Sequence, residues 1–513
     1  MGGQKSPRGK SQSCMILAFI VVLGASVLIP GPTIVILAMN TGAVFILSAL
    51  QVFSAIFPRS RPNRRNTTSR AFVSVVVPTY NEPPALLMRT LDALSRLDHK
   101  DFEALIIDNN TKDPRIWRPV ESYAQRLGHK FRFFHVENLP GFKAGALNYV
   151  LRFASPRSEY VAVIDADYEV KPEFLTEALS YFIDKDIALV QFPQQYRNCT
   201  KANQPISDEY RHFFKIYMNM ANHMDAVPST GTVSVYTLEA LRHIGGFSEN
   251  ALTEDADAGL RLYAAGYRGV YADHSIGYGL MPYDVEAYRK QKSRWASGNA
   301  QSIRTLLGLY GKIPLRSWIG FLANLTAWDH LNFLPFAALA AYTVVLLPFV
   351  PTTALHRELL TVASFSIFTT LASKFAIFTV ALRGQKNGLR RAFKAFIVHM
   401  GMTLLYSESL GAAFWGTKRG FERTNKFILS KMPSLLKNSY RELILGIWFA
   451  AGVIEAAMWG TRPITTIALL ASSLILFSVY YVALKIAPTK IYSKKILANL
   501  EQEYEPHLAA KNA

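Results

Sequence analysis

The chain has 513 residues, half of them hydrophobic, and carries 56 Lys and Arg against 37 Asp and Glu, a formal net charge of +19. With only Cys14 and Cys199 present, neither a disulfide framework nor a thiolate metal site is available. Nucleic acid is excluded as a partner, because the basic residues gather beside apolar runs, as the positive-inside bias of membrane proteins produces.

Met15–Pro30 and Thr33–Phe57 are apolar and uncharged, each near the ~20 residues a spanning helix needs. Lys5, Arg8 and Lys10 could introduce a signal peptide, but no small-residue cleavage site follows and a second apolar run comes at once. A retained hairpin is therefore expected. Arg59, Arg61, Arg64, Arg65 and Arg70 then follow with no acidic residue among them, which puts both hairpin ends in the cytoplasm.

From Ala71 to about Gly308 apolar strands alternate with helical stretches. Val73–Pro78, Ala104–Asp108, Arg132–Val136, Tyr160–Asp165 and Ala188–Phe192 read as strands; Pro84–Leu97, Ile116–Leu127, Lys143–Phe153 and Glu173–Phe182 read as helices. Such alternation predicts an α/β domain with a mostly parallel sheet covered on both faces. Ligands of such sheets bind beyond the carboxyl ends of the strands, and carboxylates collect there. Glu82 follows the first strand, Asp108 ends the second, and Asp165 and Asp167 follow the fourth.

Beyond the soluble region, Leu331–Val350 with Leu359–Leu382 and Glu442–Trp459 with Pro463–Leu484 read as two further hairpins. Ala395–Trp415 lies between them with basic loops on both sides, so the charge rule makes it an interfacial helix instead of a span. Six spans result, with both termini cytoplasmic. The expected division is residues 1–57 for the amino terminus and hairpin, 58–310 for the cytosolic catalytic domain with an interface helix, 311–485 for the membrane region and 486–513 for a cytoplasmic tail.

Asp165-Ala166-Asp167, Thr253-Glu254-Asp255 and Gln291-Lys292-Ser293-Arg294-Trp295 follow one another in that order. Paired carboxylates at strand ends suit Mg²⁺ or Mn²⁺ that also takes diphosphate oxygens, with Lys143 available to a phosphate; singly, Asp108 and Asp165 are also ordinary turn residues. Thr253 fits a helix N-cap, where Glu254, Asp255 and Asp257 would complement the dipole. The same helix start would keep a carboxylate ionised, and thus able to take a proton from a hydroxyl. Gln291, Arg294 and Trp295 fall at i, i+3 and i+4 on one helix face, offering an amide, a cation and a flat ring to a sugar phosphate. Arg289, Lys290, Lys292 and Arg294 could equally face lipid headgroups.

These residues resemble the processive branch of the family 2 glycosyltransferases, which includes cellulose, curdlan-type, hyaluronan and chitin synthases. Val77 to Glu82 is similar to the family's uridine-binding strand and loop, and Asp108 to its base- or ribose-binding aspartate. The resemblance implies a GT-A-like nucleotide-sugar transferase fold between transmembrane helices. It assigns Thr79, Tyr80, Glu82, Asp108, Lys143, Asp165, Asp167 and Arg294 to the donor, with Asp165 and Asp167 on the metal. It makes Asp255, beside Glu254, the catalytic base, and Gln291, Trp295 and Asp255 the acceptor site. Phe421, Thr424 and Lys426 resemble a gating loop within 418–430, although Arg423 stands where valine is usual. Implied are a multi-pass protein of the inner or plasma membrane, UDP-glucose as donor, and a growing β-glucan of 1,3-, 1,4- or mixed linkage as acceptor. A hyaluronan- or chitin-type synthase using UDP-N-acetylglucosamine, or a non-processive lipid-linked transferase, is the alternative.

Overall fold

The computed structural model describes residues 20–22, 24–57, 64, 70–328, 333–341, 343, 353–414, 435–458 and 461–509. Nine strands occur among them: β1 (Phe72–Thr79), β2 (Phe102–Asn109), β3 (Phe131–Val136), β4 (Ser158–Val163), β5 (Glu169–Val170), β6 (Ile187–Gln191), β7 (Ser234–Thr237), β8 (Arg268–Tyr271) and β9 (Gly277–Tyr278). Seven form one sheet in the order β3-β2-β1-β4-β7-β6-β8, and β5 pairs antiparallel with β9 beside it. The pairs β1–β2, β2–β3, β1–β4 and β6–β8 are parallel, whereas β7 runs antiparallel to both β4 and β6.

β1 and β2 are near-continuous apolar runs because both faces of the sheet are covered. Val73, Val75 and Val77 enter one core with the Pro84–Ser95 helix; Val76, Leu105 and Ile107 enter a second core with the Phe142–Leu151 helix. Strand order reverses at β1, with β2 and β3 on one side and β4 on the other. A crevice therefore opens above the carboxyl ends of β1 and β4, where α/β sheets bind ligands.

Three helices among the described residues are long and apolar enough to cross a membrane: Pro30–Ile56, Ala354–Ala381 and Pro463–Glu503. The first is inside-out relative to a soluble helix. Val35, Ile36, Met39, Phe45, Ile46 and Phe53 are exposed, while Asn40, Ser48, Gln51 and Ser54 are buried, and Gln51 donates to the Ala323 carbonyl at 2.9 Å. An apolar outer face with polar groups turned inward is the pattern that a lipid-facing helix would carry. Of the other expected spans, Met15–Pro30 and Leu331–Val350 lie only partly within the described residues, and Glu442–Trp459 falls mostly in the Leu435–Met458 helix, which kinks at Ser439.

The single interfacial helix expected over Ala395–Trp415 is corrected to two helices, Gly388–Met400 and Thr403–Phe414. The break falls at Gly401, where a Cβ would lie 2.9 Å from Val482 Cγ2 and 3.0 Å from the Ser478 backbone. His399, Met402 and Tyr406 are fully buried, so this stretch packs against the rest of the protein. Nor does a tail begin at residue 486. The Pro463–Glu503 helix runs on without a break and seats Leu500 and Tyr504 in the sheet's own core.

Candidate active site

One cavity of about 300 Å³ lies in the crevice. Thr79, Tyr80 and Glu82 enter it from the end of β1, Asn109 and Asn110 from β2, and Asp165 to Tyr168 from β4. Phe142 and Lys143 line it from the start of a helix, as do Thr253, Glu254 and Asp255. Gln291, Arg294 and Trp295 close it from the Val285–Gly308 helix. Segments far apart in sequence thus meet in one space, and all but one of the described donor, base and acceptor residues expected from the sequence are among the lining.

Asp108 is the exception. Its side chain turns away from the cavity, accepting from Thr111 Oγ1 at 2.8 Å and facing His135 Nδ1 at 2.9 Å. Burial raises its pKa, and the Thr111 and His135 hydrogen bonds oppose the rise. The same Thr111 hydroxyl accepts from the Asn81 backbone N–H at 2.9 Å, so Asp108 braces the Tyr80–Glu82 loop from below. His135 is in turn stacked on Trp117, with ring centroids 4.2 Å apart. Phe421, Thr424 and Lys426 lie outside the described residues.

Lys143 occupies the electrostatic centre. Its ammonium donates to Asp165 Oδ1 at 2.7 Å and to the Gly231 carbonyl at 2.8 Å, with Glu254 Oε1 3.9 Å away. Desolvation alone would lower its pKa, but the carboxylates of Asp165, Glu254 and Asp255 raise it above the usual value. The tight approach of its helix requires Gly145, where a Cβ would stand 1.8 Å from the Pro140 carbonyl oxygen. Asp167 is buried and accepts from the Leu280 N–H at 2.9 Å; Asp165 is more open to the cavity.

Asp255 is pushed up to about 7, first by burial and then by the charge of Glu254, with Lys143 opposing. The expectation that the helix start would keep it fully ionised is corrected: the nearby backbone N–H groups lower its pKa but do not win. Nor does Thr253 cap by its side chain. Its methyl fills a notch in the Val285–Gly308 helix at Gly298, where a Cβ would come within 2.3 Å of Thr253 Cγ2. The headgroup-facing reading of the basic residues on that helix is also corrected for two of the four. Lys292 is fully buried, and Arg289 is buried in an ion pair with Glu442 at 2.6 Å.

Sequence reasoning missed Gln194, Tyr196 and Thr230, which also line the cavity. Gln194 Nε2 donates to the Thr230 carbonyl at 2.8 Å. Behind them Gln191 organises the Ser229–Thr232 turn, accepting from Thr230 N at 2.9 Å and donating to the Thr232 carbonyl at 2.9 Å. The available signals were a fully buried glutamine ending a strand and the run Ser229-Thr230-Gly231-Thr232. Gly231 has φ of 82°, and a Cβ there would lie 2.7 Å from Asp255 Oδ2.

Residues 160–404 match the family model for glycosyl transferase family group 2, and residues 74–245 match that for glycosyl transferase family 2. Between them they cover 74–404, well over half of the 513 residues. The chain belongs to the family 2 glycosyltransferases. This glycosyltransferase is 30% identical over 197 residues to a UDP-forming catalytic subunit of cellulose synthase from Dictyostelium discoideum, 37% of this chain and 18% of that one. It is 27% identical over 281 residues to the UDP-forming catalytic subunit of cellulose synthase from Xanthomonas axonopodis pv. citri, 52% of this chain and 37% of the relative. It is equally 27% identical over 274 residues to glucomannan 4-beta-mannosyltransferase 1 of Oryza sativa subsp. japonica, 48% and 52% of the two chains. The aligned part thus spans about half or less of these relatives. A mannosyltransferase of Pyrobaculum calidifontis, solved with GDP-Man and Mn²⁺, shares the fold with a TM-score of 0.51 at 19% identity, covering 75% of this chain and 99% of its own.

Proposed function

We propose that this family 2 glycosyltransferase is a processive, inverting polysaccharide synthase that adds glucose from UDP-glucose to a β-glucan. The observation that carries the reading is convergence: the Asp165–Asp167 pair, Lys143, Asp255 and the Gln291–Arg294–Trp295 face line one cavity. An acceptor hydroxyl oxygen bonds to the anomeric carbon, the bond from that carbon to the diphosphate breaks, and UDP leaves. Asp255 takes the hydroxyl proton, a task suited to a carboxyl whose pKa is held near neutrality. Lys143 and Arg294 offset charge on the leaving diphosphate, and Trp295 supplies a flat surface for the acceptor ring. Asp165 and Asp167 present hard oxygen donors at one strand end and fit Mg²⁺ or Mn²⁺, which when bound would polarise the diphosphate.

The cellulose synthase relatives and the apolar-outside Pro30–Ile56 helix support a membrane-embedded synthase, with its catalytic domain in the cytoplasm and the polymer passing through its own membrane helices. The similarity to a glucomannan mannosyltransferase favours a second reading, in which GDP-mannose is the donor of a mannan chain. Purified protein with each of UDP-glucose, GDP-mannose and UDP-N-acetylglucosamine, plus Mg²⁺ or Mn²⁺, tests them. Product from UDP-glucose that a β-glucanase digests is expected; preferential incorporation of mannose or N-acetylglucosamine would move the donor assignment.

A further inference from the structure

Lys292 sits in the middle of the Gln291–Trp295 motif, yet it points away from the cavity into the protein. Its ammonium lies 2.5 Å from Glu209 Oε2, and neither side chain has any solvent exposure. Glu209 also accepts from Tyr288 at 2.9 Å and faces His399 Nδ1 at 3.1 Å. Around the ammonium stand four aromatic rings, Tyr210 at 4.1 Å, Trp328 at 4.7 Å, Trp295 at 5.1 Å and Tyr288 at 5.3 Å. Burial would raise the Glu209 pKa, but Lys292 and His399 hold it well below the usual carboxylate range. Glu209, His212 and His399 have a spacing that could hold a metal ion. Glu209 and Lys292 are both sealed from solvent, unlike the more open Asp165 beside Lys143, so the cluster reads as a buried ion pair instead.

The next residue, Tyr210, touches the same motif at Gln291 and Trp295 as well as at Lys292. Its hydroxyl donates to Gln291 Oε1, and its ring packs edge-on against Trp295 with centroids 5.7 Å apart. One dipeptide near the end of the Gln204–His212 helix therefore grips the Val285–Gly308 helix at Tyr288, Gln291, Lys292 and Trp295, over about two turns. Apolar packing alone tolerates rotation of a helix about its axis. A buried ion pair with directional hydrogen bonds does not, because any rotation strips a charge of its partner. Fixing Lys292 inward sets the azimuth at which Gln291, Arg294 and Trp295 meet the cavity.

We propose that Glu209 and Tyr210 are positioning residues that hold the Gln291–Arg294–Trp295 face in register with the acceptor, acting through Lys292 and Gln291. The role given to that face rests on the proposed transferase reading; the clamp itself does not. The test compares Glu209→Gln, Glu209→Asp and Tyr210→Phe with wild type, and uses Lys290→Gln, half-exposed in a pair with Glu286, as control. Hydrogen exchange over residues 285–308 reads the clamp without any substrate. Sugar incorporated per UDP released, product length and donor KM read its consequence.

Glu209→Gln is expected to speed exchange over 285–308 at least several-fold, and to cut sugar incorporated per UDP by about ten-fold while donor KM stays within two-fold. Glu209→Asp should recover part of both. Tyr210→Phe removes one hydroxyl and leaves no charge stranded, so it should fold even if Glu209→Gln does not, and give shorter product with unchanged donor KM. Lys290→Gln should match wild type throughout. Unchanged exchange in a folded Glu209→Gln or Tyr210→Phe protein would overturn the clamp. If wild-type protein transfers no sugar from any donor, the functional reading fails, while the exchange measurement still decides the clamp.

Discussion

Asp255 combines a raised pKa with a place in the cavity, and two consequences follow. As a base it works only when ionised, so the transfer rate should fall about ten-fold per pH unit below about 7 and level off above it. Asp255→Asn should lower transfer by ~10²–10⁴ with UDP binding kept within a few-fold, as measured by turnover and calorimetry. The stability effect has the opposite sense. A carboxyl whose folded pKa exceeds its unfolded value stabilises the fold while protonated and loses that contribution as pH rises through about 7. Asp255→Asn should therefore be stabilised relative to wild type by more at pH 8 than at pH 5, as read by thermal unfolding. A rate flat from pH 6 to 8 would remove Asp255 from the role of base. Gly231 depends on the same geometry: with φ of 82° and Asp255 against it, Gly231→Ala is expected to cost ~1–3 kcal/mol by thermal unfolding and most of the activity.

At the scale of the element, strong periodicity was readable and short or tertiary-determined features were not. The buried runs of β1 and β2 and the helices between them stand in the sequence because both faces of a parallel sheet demand apolar residues. β7 and β8 have four residues each, too few for a pattern, and β7 is antiparallel among parallel neighbours. The cavity's strand-end carboxylates and the Gln291–Arg294–Trp295 face were legible because spacing alone brings them together. The inward turn of Asp108 was not, since it depends on Thr111 and on His135 from a neighbouring strand. Gly298 and Thr253 show the same limit. Helix propensity alone says that Gly298→Ala should stabilise the Val285–Gly308 helix by roughly 1 kcal/mol. The contact with Thr253 says the reverse. Gly298→Ala is expected to lower the melting temperature and, by displacing Thr253-Glu254-Asp255, to reduce turnover at least ten-fold. A more stable, fully active variant would show that the Thr253 loop yields freely.

Across the whole molecule, one helix carries both an apolar segment and a part of the catalytic core. Pro463–Glu503 begins as a span candidate and continues past Lys485 along the catalytic domain. Thr489 accepts from Asn203 Nδ2 at 2.7 Å, and Ser493 from Asn198 Nδ2 at 3.2 Å. Glu503 pairs with Arg89 at 3.0 Å. Tyr504 donates to Asp92, which also accepts from Tyr123 at 2.6 Å, while Leu500 lies in the core beneath β1 and the Pro84–Ser95 helix. The surface pair with Arg89 contributes little by itself; the buried side chains carry the attachment. Leu500→Ala should destabilise the catalytic domain by ~2–4 kcal/mol, the usual cost of a core leucine, whereas Glu503→Gln should stay within ~1 kcal/mol. Urea unfolding in detergent, followed through the catalytic domain, measures both. If the segment beyond Lys485 were a detached tail, Leu500→Ala would be silent, and so would removal of everything beyond it. The structure predicts instead that cutting the chain at Lys485 exposes the core beneath β1, so the shortened protein should lose its folded α/β domain and transfer together.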